Sequence, residues 1–409
     1  MDLASSRFKR LAETAFTHSI IDNHTHPLLQ EKYRNKFPLE GIFSEAQGDA
    51  LTRDSIHTLA CYRATKQLSE LLGCEESWEA VKRKRDTMEY LDLCEMFLGP
   101  TRIQSVLLDD GLDNEYSEGI AWHDQFTSSP SKRVVRIEIV AQDIWKQIVV
   151  TDKETATDRL INQLFAKFRE SLTWYAKDDD VVGFKSIICY RTGLDINPIR
   201  IWPGPCATQV LQNARDDILN GQSSRVRFAE KSLNDYIVHI ALGIAGEHNK
   251  PIQFHTGLGD NDIILSRSSP SHMQPIIRGY PNTQFILLHS SYPYTREAGY
   301  LTAVYPNVYL DIGEVFPFLS ASGQREVVRQ TLELCPMNKV MWSTDGHYWP
   351  ETYYLATLQA RQALYDVLSD FVEKAELSES QAVNIVKLVL FDNANSIYRL
   401  GLTPQHYDQ

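Results

Sequence analysis

Short apolar runs alternate with stretches of helical periodicity along most of the chain. The runs at 19–23, 103–108, 134–140, 181–189, 251–255, 285–289, 308–312 and 340–345 are too short for helices, and each predicts a strand. Helical spacing fills 1–18, about 151–177, 226–248, 294–304, 322–334 and 351–372. The segment 30–100 differs: Leu68, Leu71, Leu72, Trp78, Val81, Leu91, Leu93 and Phe97 recur at helical spacing, Gly73 and Gly99-Pro100 mark stops, and no strand is legible. Residues 191–208, with Gly193, Pro198, Pro203 and Pro205, predict an excursion loop, and 377–400 a last helix packed on the outside.

Strands alternating with crossover helices predict an α/β fold with a parallel sheet, and eight such units predict closure into a (β/α)8 TIM barrel. Such a barrel takes about 250 residues, so a chain of 409 has room for 30–100 as a helical insertion after the first strand of a single domain spanning 1–409. That insertion could cover the barrel mouth or form an interface in a homo-oligomer. An open doubly wound sheet is the alternative, but it usually carries a glycine-rich nucleotide loop, and the sequence has none.

Composition narrows the setting. An apolar share of 43% and a charged share of 23% are those of an ordinary soluble protein. No apolar run approaches the roughly 20 residues that span a bilayer, and Met1–Arg7 lead into no apolar stretch of a secretory signal, so a cytoplasmic location is expected. Cys61, Cys74, Cys94, Cys189, Cys206 and Cys335 are scattered without a C-x-x-C pair and read as free thiols. A net charge of −12 disfavours nucleic acid and anionic membranes and leaves a small molecule as the expected partner. The basic run Lys82-Arg83-Lys84-Arg85 reads as a solvated helix face.

The chemistry collects at strand ends. In Ile21-Asp22-Asn23-His24-Thr25-His26-Pro27, residues two apart on a strand point the same way, so His24 and His26 project together. Alone, a His-x-His can be two polar residues in a turn. Here His255 ends the fifth strand, His289 the sixth and Asp345 the eighth, at the rim where barrel enzymes place their active sites. Neutral imidazoles and a carboxylate suit zinc, with Mn2+ or another divalent ion as alternatives. Arg191 after the fourth strand, Glu314 after the seventh and His347 beyond Asp345 are candidate substrate contacts: an arginine can grip a carboxylate and a glutamate can receive an amino group. Arg136 and Glu138 fall on the third strand and Trp122-His123 in the loop after the second. His18, His57, His239, His248, His272 and His406 read as ordinary surface or helix histidines.

The order His-x-His, His, His, Asp on strands one, five, six and eight resembles the amidohydrolase superfamily of metal-dependent barrel enzymes. Ile21–Leu29, Phe184-Lys185-Ser186-Ile187, His289-Ser290-Ser291-Tyr292-Pro293 and Trp342-Ser343-Thr344-Asp345-Gly346-His347 are similar, more narrowly, to the amidohydrolase-type half of fungal FluG and plant nodulin/glutamine-synthetase-like proteins. The resemblance implies one or two ions held by His24, His26, His255 and Asp345, with His289 either a ligand to a second ion or an acid/base and electrophile. It implies a catalytic pair of Asp345, the proton carrier, and His289. Lys185, read as mid-strand, is either a carboxylated bridge between two ions or an uncarboxylated lysine near the substrate.

The implied activity is metal-dependent hydrolysis of an amide or isopeptide bond, with the fusion context pointing to γ-glutamyl-type small molecules. A decarboxylase or sugar-acid isomerase of the same superfamily is the nearest rival, and a non-catalytic signalling or developmental protein on a retired barrel is the rival from another class. The second predicts missing ligands, whereas all are present.

Overall fold

Burial decides which apolar runs become strands. Every residue of Ile20–Thr25 (β1), Ile103–Asp109 (β2) and Val181–Ser186 (β4) is buried, as in parallel sheets covered on both faces. With Lys132–Arg136 (β3), Ile252–Phe254 (β5), Phe285–Leu287 (β6), Val308–Asp311 (β7) and Val340–Met341 (β8), they form one sheet in sequence order, all neighbouring pairs parallel. The computed structural model describes residues 6–112, 115–222 and 226–405; His406 and the first residues of the expected 1–18 helix lie outside them.

The first and last strands meet beyond their regular ends. Asp345 N donates to His24 O at 3.1 Å and His26 N to Gly346 O at 2.7 Å. Below them Asp22 accepts from Thr344 N at 2.9 Å and Oγ1 at 2.5 Å. The result is the near-closed eight-stranded barrel expected from the alternation, with helices outside it.

Several boundaries differ from the sequence reading, each for a physical reason. The run 134–140 serves two elements: Val134 and Val135 fill the sheet, while Ile137, Ala141, Ile144, Trp145 and Ile148 line the buried face of a helix, Ile137–Thr151. Glu138 therefore sits in a first helical turn, not on β3. The fourth strand stops at Ser186, which makes Lys185 its penultimate residue instead of a mid-strand one. Part of the expected loop 191–208 belongs to a helix, Pro205–Leu219, where proline occupies a first-turn position that needs no N–H.

The C-terminal segment divides: Glu379–Lys387 packs outside, where Glu379 accepts from Arg10 N and Leu11 N, but the end of the segment does not. Phe391, Ala394, Ile397 and Tyr398 pack with Ile21, Val134, Val182, Ile286 and Met341, near the strand starts, and close that end of the barrel. Tyr398 Oη accepts from Gln253 Nε2 at 2.7 Å and donates to Asn23 Oδ1 at 3.3 Å, which satisfies a phenol otherwise stranded in the core.

At the opposite end, residues 37–51 lean over the mouth. Phe37 stacks on Tyr348, ring centroids 4.5 Å apart, and Gly41 approaches Trp349 so closely that an added Cβ would lie 2.9 Å from the indole. The rest of 30–100 forms the helices Leu59–Leu72, Trp78–Asp86 and Tyr90–Leu98. They are fastened to the helix Pro350–Glu373 by a buried Arg85–Glu351 ion pair at 2.5 Å. Arg85 of the basic run is thus 2% exposed and internally paired, so only part of that run is a solvated face.

Candidate metal centre at the barrel mouth

Backbone geometry aims the strand-end side chains. His26 Nδ1 donates to Asp109 O at 2.9 Å, fixing that ring and leaving Nε2 to face Asp345. His289, Glu314 and Asp345 have φ of 66°, 59° and 51°, a left-handed conformation costly for residues with a Cβ. Strain of this kind persists where surroundings hold it and concentrates at functional sites. Asp311 supplies such a hold: it accepts from Asn23 Nδ2 at 2.8 Å, Ser343 Oγ at 3.0 Å and Gly313 N at 2.9 Å, beneath all three residues.

The side chains converge. Asp345 Oδ1 lies 3.3 Å from His24 Nε2 and 3.5 Å from His26 Nε2, and Asp345 Oδ2 lies 3.9 Å from His289 Nδ1. Two sets bring three donor atoms within 4.8 Å of one another: His24, His289 and Asp345, and His24, His26 and Asp109. Lys185 Nζ is 3.0 Å from His24 Nε2. His255 adjoins this group, its ring centroid 4.4 Å from that of His289, but its Nε2 is engaged by Leu258 O at 2.6 Å and it belongs to neither three-donor set.

Electrostatics favour a cation among these donors. His24 Nδ1, both ring nitrogens of His289, Asp345 Oδ1 and Glu314 Oε2 are buried without a hydrogen-bond partner among the described residues. Such orphans are uncommon in native proteins, and a bound ion is one explanation for them. Burial, then Lys185, depresses His24 to about 3 and holds His255 well below the usual histidine range. Burial also depresses His289, so these imidazoles are neutral, as ligation requires. Burial pushes the Asp345 carboxyl up, but His289, His24 and His26 outweigh it and keep it ionised. Nitrogen and oxygen donors of this type fit zinc or another divalent ion.

The remaining predicted residues fall around the centre. Burial brings Lys185 down to about 8 against the pull of Asp109 and Asp345. Glu314 lies at the base of the site, 2% exposed and 3.5 Å from His289 Nδ1; burial, Asp345 and Glu45 push its carboxyl well above the ordinary range. His347 lines the wall, its Nδ1 donating to Asp345 O at 3.1 Å. Arg191 lines the wall farther out. His123 is buried, but its Nε2 is spent on Leu28 N at 3.0 Å, and His239 is a buried helix residue bonded to Tyr280 and Asn197.

Asp109 was not singled out by the sequence reading. It ends β2 as His24 nears the end of β1, and Arg136 clamps it through Nε and Nη2 at 3.0 and 2.7 Å. Burial raises its carboxyl, but Arg136, His26 and Lys185 outweigh burial and hold it below the usual range. The strand-end rule that found the histidines applies to it equally. Glu45, Asp260 and Arg227 also line the cavity, which has a volume of about 610 Å3, within the span of small-molecule sites. They come from the insertion and long loops, where no periodicity marks them.

Residues 221–400 match the amidohydrolase family model. The chain is also 42% identical over 408 residues to the FluG protein of Emericella nidulans, covering 95% of this chain and 46% of FluG. It thus spans about half the length of that relative. A crystal structure assigned as a metal-dependent hydrolase from Lactobacillus casei ATCC 334 superposes with a TM-score of 0.78 at 24% identity, covering 95% of this chain and 97% of that one. The uronate isomerase of Bacillus halodurans C-125 follows with a TM-score of 0.63 at 14% identity, covering 96% of each chain. The resemblance to the amidohydrolase superfamily is therefore shown in sequence and in fold, and among the described residues no helix is long and apolar enough to cross a membrane.

Proposed function

We propose that this protein is a zinc-dependent hydrolase that cuts an amide or isopeptide bond of a small molecule in the cytoplasm. The observation that carries the reading is the convergence of buried donor atoms of His24, His289 and Asp345 within 4.8 Å of one another, those of His289 and Asp345 Oδ1 without a hydrogen-bond partner among the described residues, in the lining of a substrate-sized cavity. His24, His289 and Asp345, or His24, His26 and Asp109, would hold the ion, with His255 and Lys185 alongside. A divalent cation there supplies Lewis-acid polarisation of a carbonyl and water acidified toward neutrality.

The chain's own groups supply the remaining chemistry. Asp345, ionised at neutral pH, accepts the proton of the attacking water and returns it to the departing amine. His289 and protonated Glu314 present N–H and O–H donors from fixed positions to an oxygen on which negative charge develops. Residues 37–51 limit access of bulk water, which strengthens these interactions.

The sugar-acid isomerase reading draws support from the guanidinium of Arg191 in the cavity wall, suited to a carboxylate, and from the fold shared with uronate isomerases. A panel of small amides, aromatic acids and uronates, assayed with product analysis, separates the readings. Amine release from an amide supports hydrolysis; carbon dioxide release or uronate isomerisation without amine release overturns it.

A further inference from the structure

One basic and one acidic side chain in the cavity wall lack a hydrogen-bond or close ion-pair partner among the described residues. The guanidinium of Arg191, half-buried after β4, makes no hydrogen bond or close ion pair with any described residue and its Nε is fully shielded from solvent; the carboxylates that act on it are Glu138, which accepts from Ser186 Oγ and Ile187 N, and Asp262, which pairs with Arg227. Glu45, reaching down from the insertion, likewise has no hydrogen-bond donor or counter-ion among them. The groups around them are committed elsewhere. Arg227 pairs with Asp262 at 2.9 Å, Arg136 with Asp109 at 2.7 Å, and Glu314 lies deep beside His289.

Unpaired charges that have lost part of their hydration are costly. Two of opposite sign facing one cavity are stabilised by a ligand that carries the complementary pair. We propose that the cavity recognises a bipolar, amino-acid-like group, with Arg191 receiving its carboxylate and Glu45, beside Asp260, receiving its ammonium. The rest of the molecule then extends toward His289 and Asp345. Glu45 takes the role that sequence reading gave to Glu314, because the insertion delivers a second carboxylate higher in the cavity. Burial, Asp345 and Asp260 raise the Glu45 carboxyl to about 8, an unfavourable position for its charged form that a cation beside it would relieve.

The inference rests on the hydrolase reading only for the direction in which the cleaved bond points. Its test is therefore binding, not turnover. L-Glutamate, N-acetyl-L-glutamate and L-glutamic acid α-methyl ester are titrated calorimetrically into the purified, metal-loaded protein. The wild type is expected to prefer glutamate to each blocked analogue by about tenfold or more, the scale of a charge-assisted pair. Glu45→Gln should erase only the preference over the N-acetyl compound, and Arg191→Gln only that over the ester. Should Arg191→Gln fail to fold, Arg191→Lys, which keeps the charge but not the fork, should show a reduced ester preference.

Absence of glutamate binding to the wild type overturns the proposal, as does loss of both preferences together in each variant or retention of both. Preferences that hold without amine release from any amide would sink the hydrolytic reading alone. Amine release from neutral amides without these preferences would sink the recognition alone.

Discussion

His24 Nε2 and Asp345 Oδ1 stand 3.3 Å apart although they come from the first and last strands of the barrel. Their backbones are also bonded, through Asp345 N and His24 O at 3.1 Å. The position of each side chain thus depends on correct pairing of the chain's two ends, and a fault in one displaces the other.

Asp345→Asn keeps the shape of the side chain but removes the proton acceptor of the proposed hydrolysis. It should lower kcat by about 10²–10⁴-fold, the range for loss of a general base, with a smaller change in KM. Double replacement of His24 and His26 by alanine should abolish both turnover and bound divalent metal, measured by elemental analysis of the purified protein. A double variant that kept both would remove the centre from the mechanism.

Asp109→Asn would leave Arg136 buried beside a neutral amide. Breaking a buried pair from one side costs about 3–5 kcal/mol. Urea unfolding of the metal-stripped protein should show a loss of that size, and metal affinity should fall as well, since the Asp109 carboxylate is one donor of the set it forms with His24 and His26.

Gly313→Ala would place a Cβ 2.0 Å from Ser343 Oγ and 2.8 Å from Asp311 Oδ2. Overpacking of this kind costs about 1–3 kcal/mol. Because Glu314 follows directly and Asp311 underpins His289, activity should fall further than the shift in Tm alone would suggest.

Lys185 gives a pH signature. In the folded metal-free protein it titrates near 8, in the unfolded chain near the ordinary 10.5. Between those values the unfolded chain holds the proton and the folded one does not, so this residue makes stability rise with pH across that window. Below about 8 both states carry the charge and the cost of burying it is greatest. The stability of the wild type relative to Lys185→Met should therefore climb by roughly 3 kcal/mol from pH 8 to 10.5, since each pH unit in that window contributes about 1.4 kcal/mol. A flat difference across urea titrations in that range would show that the amine is solvated.

The barrel and the ends of its strands were legible because parallel strands are buried on both faces and so stand out as apolar runs closed by a polar residue. Phe254-His255 and Leu288-His289 are examples. Where one apolar run fed two elements, as at Val134–Val140, alternation and helical spacing overlapped and the boundary was lost. Lys185 was placed too low for the same reason: Ile187, Ile188 and Cys189 prolong the apolar run past the last paired residue. Glu45 and Asp260 were invisible, since nothing local distinguishes a loop carboxylate that faces a cavity from one that faces water.

Tyr398 and its neighbours stopper one end of the cylinder, so among the described residues the cavity opens at the other end, beneath residues 37–51, and in the proposed hydrolysis reactants and products would share that passage. A product that retains the substrate's charged end must retrace the route of the next substrate molecule. A hydrolase of the proposed kind would face competition between the two, with turnover governed by how quickly the covering segment lets the spent molecule leave.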